Sequence, residues 1–183
     1  IDCLQGVWLF SDYENMLLHS RRPGEWTTLT LPSKNLIHHN GIRCMLDDRD
    51  GHVWIGTDHN GVYMYDQVKG GITALRQSGT GSNPMQSDNV SCIYMDSSGT
   101  IWLGHNKAGI SYHNDMFRQF EDPGIIDSGD ITALLEDSDG NLWIGMEGYG
   151  LYRSGAGGGD AVKVPSVPEC SIICLREDMH GRI

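Results

Sequence analysis

Apolar residues along this chain come in short runs of four to six, each closed by Gly, Asp, Asn or Ser. Such runs are strand-length, and the residues between them are turn formers. They predict strands at Ile42–Asp47, Val53–Thr57, Gly61–Asp66 and Ile72–Gln77, then at Val90–Met95, Ile101–Gly104, Gly109–Tyr112 and Phe117–Glu121. A third set follows at Ile131–Glu136, Leu142–Gly145, Gly150–Arg153 and Ala161–Val164. No segment carries a helical 3.6-residue period long enough to compete. The first strand of each set is apolar on both faces: Val90, Cys92 and Tyr94 alternate with Ile93 and Met95. That pattern belongs to an inner strand pressed between neighbouring layers.

The sets are copies of one unit. Asp48-Arg49-Asp50-Gly51-His52-Val53-Trp54-Ile55-Gly56 recurs as Asp96-Ser97-Ser98-Gly99-Thr100-Ile101-Trp102-Leu103-Gly104. It recurs again as Asp137-Ser138-Asp139-Gly140-Asn141-Leu142-Trp143-Ile144-Gly145. Four short strands every ~40–50 residues is the period of a β-propeller blade. A decayed copy precedes them, with Asp2 six before Trp8 and with Gln5 and Phe10 at the two Gly positions; Trp26–Leu31 supplies its last strand. A fifth copy opens at Ile172 and reaches Gly181. The expected fold is all-β: a propeller fragment with three complete four-stranded blades and two partial blades in an open arc. Residues 1–33 form a partial blade, 34–80, 81–123 and 124–167 are blades, and 168–183 is the first strand of a further one. Both ends cut through a repeat, so the chain reads as part of a longer protein.

A meander of strands a, b, c and d puts the a–b and c–d turns on one face. The b–c turns and the d–a crossovers share the other. The Asp-x-x-Gly turns therefore occupy one face, and the loops Thr57–Gly61, His105–Gly109 and Met146–Gly150 the opposite one. So do the crossovers Ser33–Gly41, Gly79–Asn89 and Pro123–Asp130. Trp54 and Trp102 are 48 residues apart, against 41 for Trp102 and Trp143. The extra residues fit the turn-rich Gly79–Pro84, on the crossover face, where insertions often mark binding.

Composition narrows the function classes. With 13 Lys+Arg against 24 Asp+Glu the net charge is −11, which disfavours nucleic acid as a partner. The 24 Gly fall at repeated positions and read as turns. Cys44, Cys92, Ala133 and Cys174 share one position, small as expected near an axis; the cysteines read as buried free thiols.

The consensus Val/Ile-x-x-Ile/Leu-x-x-Asp-x-x-Gly-x-Leu/Val-Trp-Ile-Gly-x-x-x-x-Gly-Leu/Val-x-x-Tyr resembles the two-component regulator propeller repeat, over nearly the whole chain. The resemblance implies the periplasmic sensor region of a hybrid two-component histidine kinase of Bacteroidetes. It implies an inner-membrane protein whose later kinase is not in this sequence, with oligosaccharides as typical signals and a homodimeric receptor. WD repeats fit worse, because no Trp here is followed by Asp, and the Asp-box of sialidases is off register.

Most candidate chemistry reduces to structure. The repeated Trp reads as inter-blade packing with a locally bonded ring N–H. The Asp-x-Asp-Gly sequences lack the rest of a calcium loop, so the Asp caps its own turn. Gly155–Gly159 lacks a Lys-Ser/Thr and reads as a c–d turn. No cofactor or metal is expected, and no nucleophile–base set recurs, so catalysis by this chain is not expected. The candidate ligand residues are those of the crossover face: His39, Asn40, His59, Asn60, His105, Asn106, Glu147 and Tyr149. They would take an oligosaccharide or another small periplasmic ligand, and the remaining blades of the same chain are the other expected partner. The alternatives are a propeller glycoside hydrolase or sialidase-like enzyme, and a scaffold for protein partners.

Overall fold

The computed structural model describes residues 7–10, 16–22, 24–31, 41–77, 85–114, 119–121, 126, 128–156 and 159–183. Every element among them is a β-strand. Strands β1 (Val7–Phe10), β2 (Met16–Arg22) and β3 (Glu25–Thr30) form a three-stranded sheet. Then come three four-stranded sheets: β4 (Ile42–Asp47), β5 (His52–Thr57), β6 (Val62–Asp66) and β7 (Ile72–Leu75); β8 (Val90–Met95), β9 (Ile101–His105), β10 (Ile110–Asn114) and β11 (Gln119–Glu121); β12 (Ile131–Glu136), β13 (Leu142–Met146), β14 (Gly150–Ser154) and β15 (Val162–Lys163). Each is an antiparallel meander in chain order. The innermost strands β4, β8 and β12 pack against one another, so the sheets are blades around a common axis, in an arc that does not close.

The Asp of the motif builds the a–b turn. Asp48 Oδ1 accepts the backbone N–H of Asp50 and His52, and its Oδ2 accepts the ring N–H of Trp54 at 3.0 Å. Asp96 and Asp137 repeat this, holding Trp102 at 2.8 Å and Trp143 at 2.7 Å. Burial works against the Asp137 charge. The N–H groups of Trp143, Asn141 and Asp139 outweigh it and hold the carboxyl below its usual range. Each turn closes on a Gly with positive φ: Gly51, Gly99 and Gly140. Since both oxygens of each Asp are occupied in this way, the Asp-x-Asp-Gly segments are turn caps, as their spacing implied.

The second Gly of the motif has a different task. A Cβ on Gly56 would collide with Cys44 Sγ and lie 2.9 Å from Val90 of the next blade. On Gly104 it would lie 2.5 Å from Cys92 Sγ and 2.7 Å from Ile131, and on Gly145 2.7 Å from Ile172. These glycines are seats into which the next inner strand settles. Reading all repeated Gly as turns is corrected here: this one sits within strand b, and close approach is what excludes a side chain.

Each inner strand carries a bulge after its first residue, between Ile42 and Cys44, Val90 and Cys92, and Ile131 and Ala133. The bulged Ser91 shares its hydroxyl proton between the carbonyls of Gly104 and Ile131, tying one blade to the next. Thr132 does the same with Gly145 and Ile172. In the second blade the bulged residue is Arg43.

Apolar seams fill the spaces between blades. Leu17, Ile42, Val53 and Ile55 fill the first, Trp54, Val62, Val90 and Leu103 the second, and Ile110, Ile131, Leu142 and Ile144 the third. Each fully buried Val, Ile or Leu contributes about 1.5–3 kcal/mol, so the seams hold the arc together. Trp54 is 3 % exposed and lies 5.3 Å from the His113 ring of the next blade, which fits the packing role read from the repeat. The described cysteines Cys44, Cys92, Cys170 and Cys174 are free as expected, but Cys170 and Cys174 are exposed rather than buried; burial pushes the Cys92 thiol up to about 12.

Some boundaries differ from those read in the sequence. The fourth strand of the second blade ends at Leu75 rather than Gln77, and that of the fourth blade is only Val162–Lys163. Residues 172–178, expected as the first strand of a fifth blade, carry no strand, and no strand among the described residues pairs with them. They are nevertheless placed as an inner strand would be, with Ile172 on Gly145 and the Asp178 turn closed by Arg182 and His180 N–H groups. The expected insertion at Gly79–Pro84, together with Asp2, Gln5, His39 and Asn40, lies outside the described residues.

Candidate functional site

The b–c turns and the crossovers share one face, as meander topology requires, and the backbone fastens them to each other. The N–H of Asp58 donates to Gly41 O at 3.0 Å, that of Asn106 to Asn89 O at 3.1 Å, and that of Glu147 to Asp130 O at 2.9 Å. In each pair the first residue after strand b is held by the residue just before the bulged inner strand. The turns end on Gly61, Gly109 and Gly150, all with positive φ. The crossover chain lies directly on two of them: Gly61 N–H donates to Asp88 O at 2.8 Å, and Gly150 N–H to Cys170 O at 2.9 Å.

A second set of bonds runs from one blade to the next. The Lys107 N–H donates to Asp130 Oδ1 at 2.8 Å. The equivalent Gly148 N–H donates to Ser171 Oγ at 3.1 Å. Lys107 sits at φ 62°, a left-handed conformation that costs a non-Gly residue about 1 kcal/mol. Its counterpart in the fourth blade is Gly148, at φ 77°.

The structure separates the residues expected at the site. His59 is exposed at the tip of its turn, and Asn60 is half-buried with its N–H on Thr57 Oγ1. Asn106 is half-buried; Glu147 is exposed, and Tyr149 is 56 % exposed.

His105 is a correction. It was expected as a surface or ligand-contact residue, but it is 0 % exposed. It is the last residue of β9, paired with Val90, and its counterparts Thr57 and Met146 are buried too. Its position is thus the upper end of the seam, two residues short of the turn tip where His59 stands. Its Nε2 lies 2.5 Å from Ser111 Oγ, while Nδ1 has no hydrogen-bond partner among the described residues. Burial lowers its pKa to about 4; the carbonyl dipoles of Asn89 and Ser87 oppose this without closing a hydrogen bond on Nδ1.

Four charged residues of this face were missed. Arg43 leaves the bulge and reaches Asp58 Oδ2 at 2.5 Å, where the other blades keep a small hydroxyl. Lys107 and Asp130 meet at the junction of the third and fourth blades. The signal for Lys107 was present in the repeat: it holds a long side chain at a position the fourth copy fills with Gly148. Among the described residues no group of three or more His, Cys, Asp or Glu is placed to hold a metal ion.

The two component regulator propeller family matches the chain at residues 37–59, 84–107 and 125–148, each match running from a crossover through strands a and b. No curated protein sequence matches. Among solved structures, the chain is similar to one described as the extracellular domain of a hybrid two component system from B. thetaiotaomicron. The TM-score is 0.74 at 16 % identity, covering 94 % of this chain and 26 % of that one. It is also similar to the extracellular domain of a system described as one component from the same organism, with TM-score 0.73 and 17 % identity over 97 % of this chain and 24 % of that one. A third likeness is to virginiamycin B lyase from Staphylococcus aureus, with TM-score 0.65 and 22 % identity over 88 % of this chain and 53 % of that one. The chain thus spans about a quarter of the length of the first two structures. At these identities the structural likeness shows the propeller fold.

Proposed function

We propose, from a chain built on two-component regulator propeller repeats, that it is a ligand-sensing module in the extracytoplasmic, periplasmic region of a hybrid sensor kinase. Its ligand is an oligosaccharide taken on the crossover face. The observation that carries this reading is the coincidence of the family match with the geometry of that face: the matched segments end in the b–c turns that present His59, Asn106 and Lys107. The opposite face is spent on capped turns, whose carboxylates are already occupied by Trp and backbone N–H groups. Binding would act mechanically, by favouring one of two arrangements of the blades and their dimer partner.

An enzyme is the second reading, raised by the likeness to a lyase. Against it stands the burial of the His105–Ser111 pair, at 0 % and 1 % exposure, where no substrate reaches. The deciding experiment is calorimetric titration of the chain with a panel of plant and host oligosaccharides, followed by mass spectrometry of the sugar. Saturable binding with an unchanged sugar is expected. Cleavage of the sugar would favour the hydrolase reading, and the absence of any binding would overturn the sensing assignment.

A further inference from the structure

Asp130 fastens two turns from adjacent blades. Its carboxylate accepts the N–H of Lys107 from the third blade, and its carbonyl accepts the N–H of Glu147 from the fourth. The two turns are therefore held side by side over one seam. Beside them, on the fourth-blade turn, stands Tyr149, an exposed aromatic ring in a chain that buries most of its large apolar groups. Resting on the sensing role proposed above, we infer that this seam is a subsite for an uncharged sugar unit. Tyr149 is its stacking platform, Lys107 and Glu147 are its hydrogen-bonding groups, and Asp130 is the positioning residue.

Three observations point to this class of ligand. An apolar ring face beside convergent polar groups is the usual make-up of a small-molecule site, and a sugar offers both a hydrophobic face and hydroxyls. Lys107 holds a left-handed backbone where glycine serves in the next blade, so its side chain is kept at a cost that turn geometry does not require. Among the described residues only its backbone N–H is engaged, and its ammonium has no ion pair or hydrogen bond. The local charge decides between neutral and acidic sugars. The junction brings together two acidic residues, Asp130 and Glu147, and one basic residue, Lys107. The nearest further cation on this face, Arg43, is engaged by Asp58, and the chain as a whole is at −11. A uronate or sulfate would meet net repulsion, whereas hydroxyls can donate to the carboxylates and accept from Lys107.

The test is calorimetric titration of the chain with cellohexaose, mannohexaose, xylohexaose and hexagalacturonate. At least one neutral hexasaccharide should bind, and more tightly than hexagalacturonate. Tyr149→Ala should weaken it about tenfold, and Lys107→Gly severalfold. Lys107→Gly should not lower the melting temperature, because glycine suits that turn, so its effect on binding is separable from folding. Asp130→Ala should weaken binding and Asp130→Asn, which keeps the acceptor, should restore it. Lys69→Ala, on an exposed c–d turn of the opposite face, should leave affinity within about twofold. Tighter binding of hexagalacturonate would overturn the charge argument. Neutral binding that ignores the Tyr149 and Lys107 changes would overturn the seam. Either result leaves the sensing role standing, whereas binding of none of the four overturns both.

Discussion

At the residue scale, the chemistry that recurs in each repeat is internal. The motif Asp is an acceptor for its own turn and for the Trp ring, so its removal strands a half-buried indole N–H and opens the turn. Asp137→Ala is expected to destabilise the chain by about 1–3 kcal/mol in urea unfolding, with Asp137→Asn between the two. His105 gives a pH-dependent prediction. Its folded pKa of about 4 lies below the ordinary value of 6.5, so the unfolded chain binds a proton that the folded chain refuses. Stability from this residue is complete above pH 6.5 and falls as pH drops from 6.5 towards 4, by on the order of 3 kcal/mol in all. His105→Thr, which installs the residue found at the same place in the second blade, should flatten the stability profile across that window. Denaturant midpoints at pH 4.5 and 7.5 for both proteins make the comparison.

At the scale of the element, one nine-residue motif serves two different contacts. Its first Gly turns the chain and its second receives the next blade. Gly104→Ala places a methyl 2.5 Å from Cys92 Sγ and 2.7 Å from Ile131, within a seam that cannot yield freely. A loss of about 1–3 kcal/mol is expected. Gly99→Ala meets nothing within 4 Å and costs only its positive φ, about 1 kcal/mol. Thermal unfolding of the two variants separates the seat from the turn. The strands and their order were legible because each blade repeats the same apolar spacing, and the Trp and Asp roles followed from their fixed six-residue separation. The Gly seat was not, since spacing alone does not distinguish a glycine that turns from one that admits a neighbour. His105 was misplaced for a related reason. It looks like His59 in sequence, but it is the last strand residue rather than the turn tip, and a shift of two positions moved it from solvent into the seam.

At the scale of the molecule, blades joined by apolar seams present two unlike faces. The Asp-turn face is closed by its own hydrogen bonds. The crossover face is assembled from neighbouring blades through residues such as Asp130, whose role depends on segments far apart in the chain and so left no local signature. The central claim is that ligand is taken on that second face. Hydrogen exchange followed residue by residue, with and without the neutral hexasaccharide that binds most tightly, tests it most directly. The account predicts slower exchange at the Lys107, Glu147 and Gly148 amides and unchanged exchange at Gly51, Gly99 and Gly140. Protection confined to the Asp-turn amides, with the b–c turns unaffected, would contradict it.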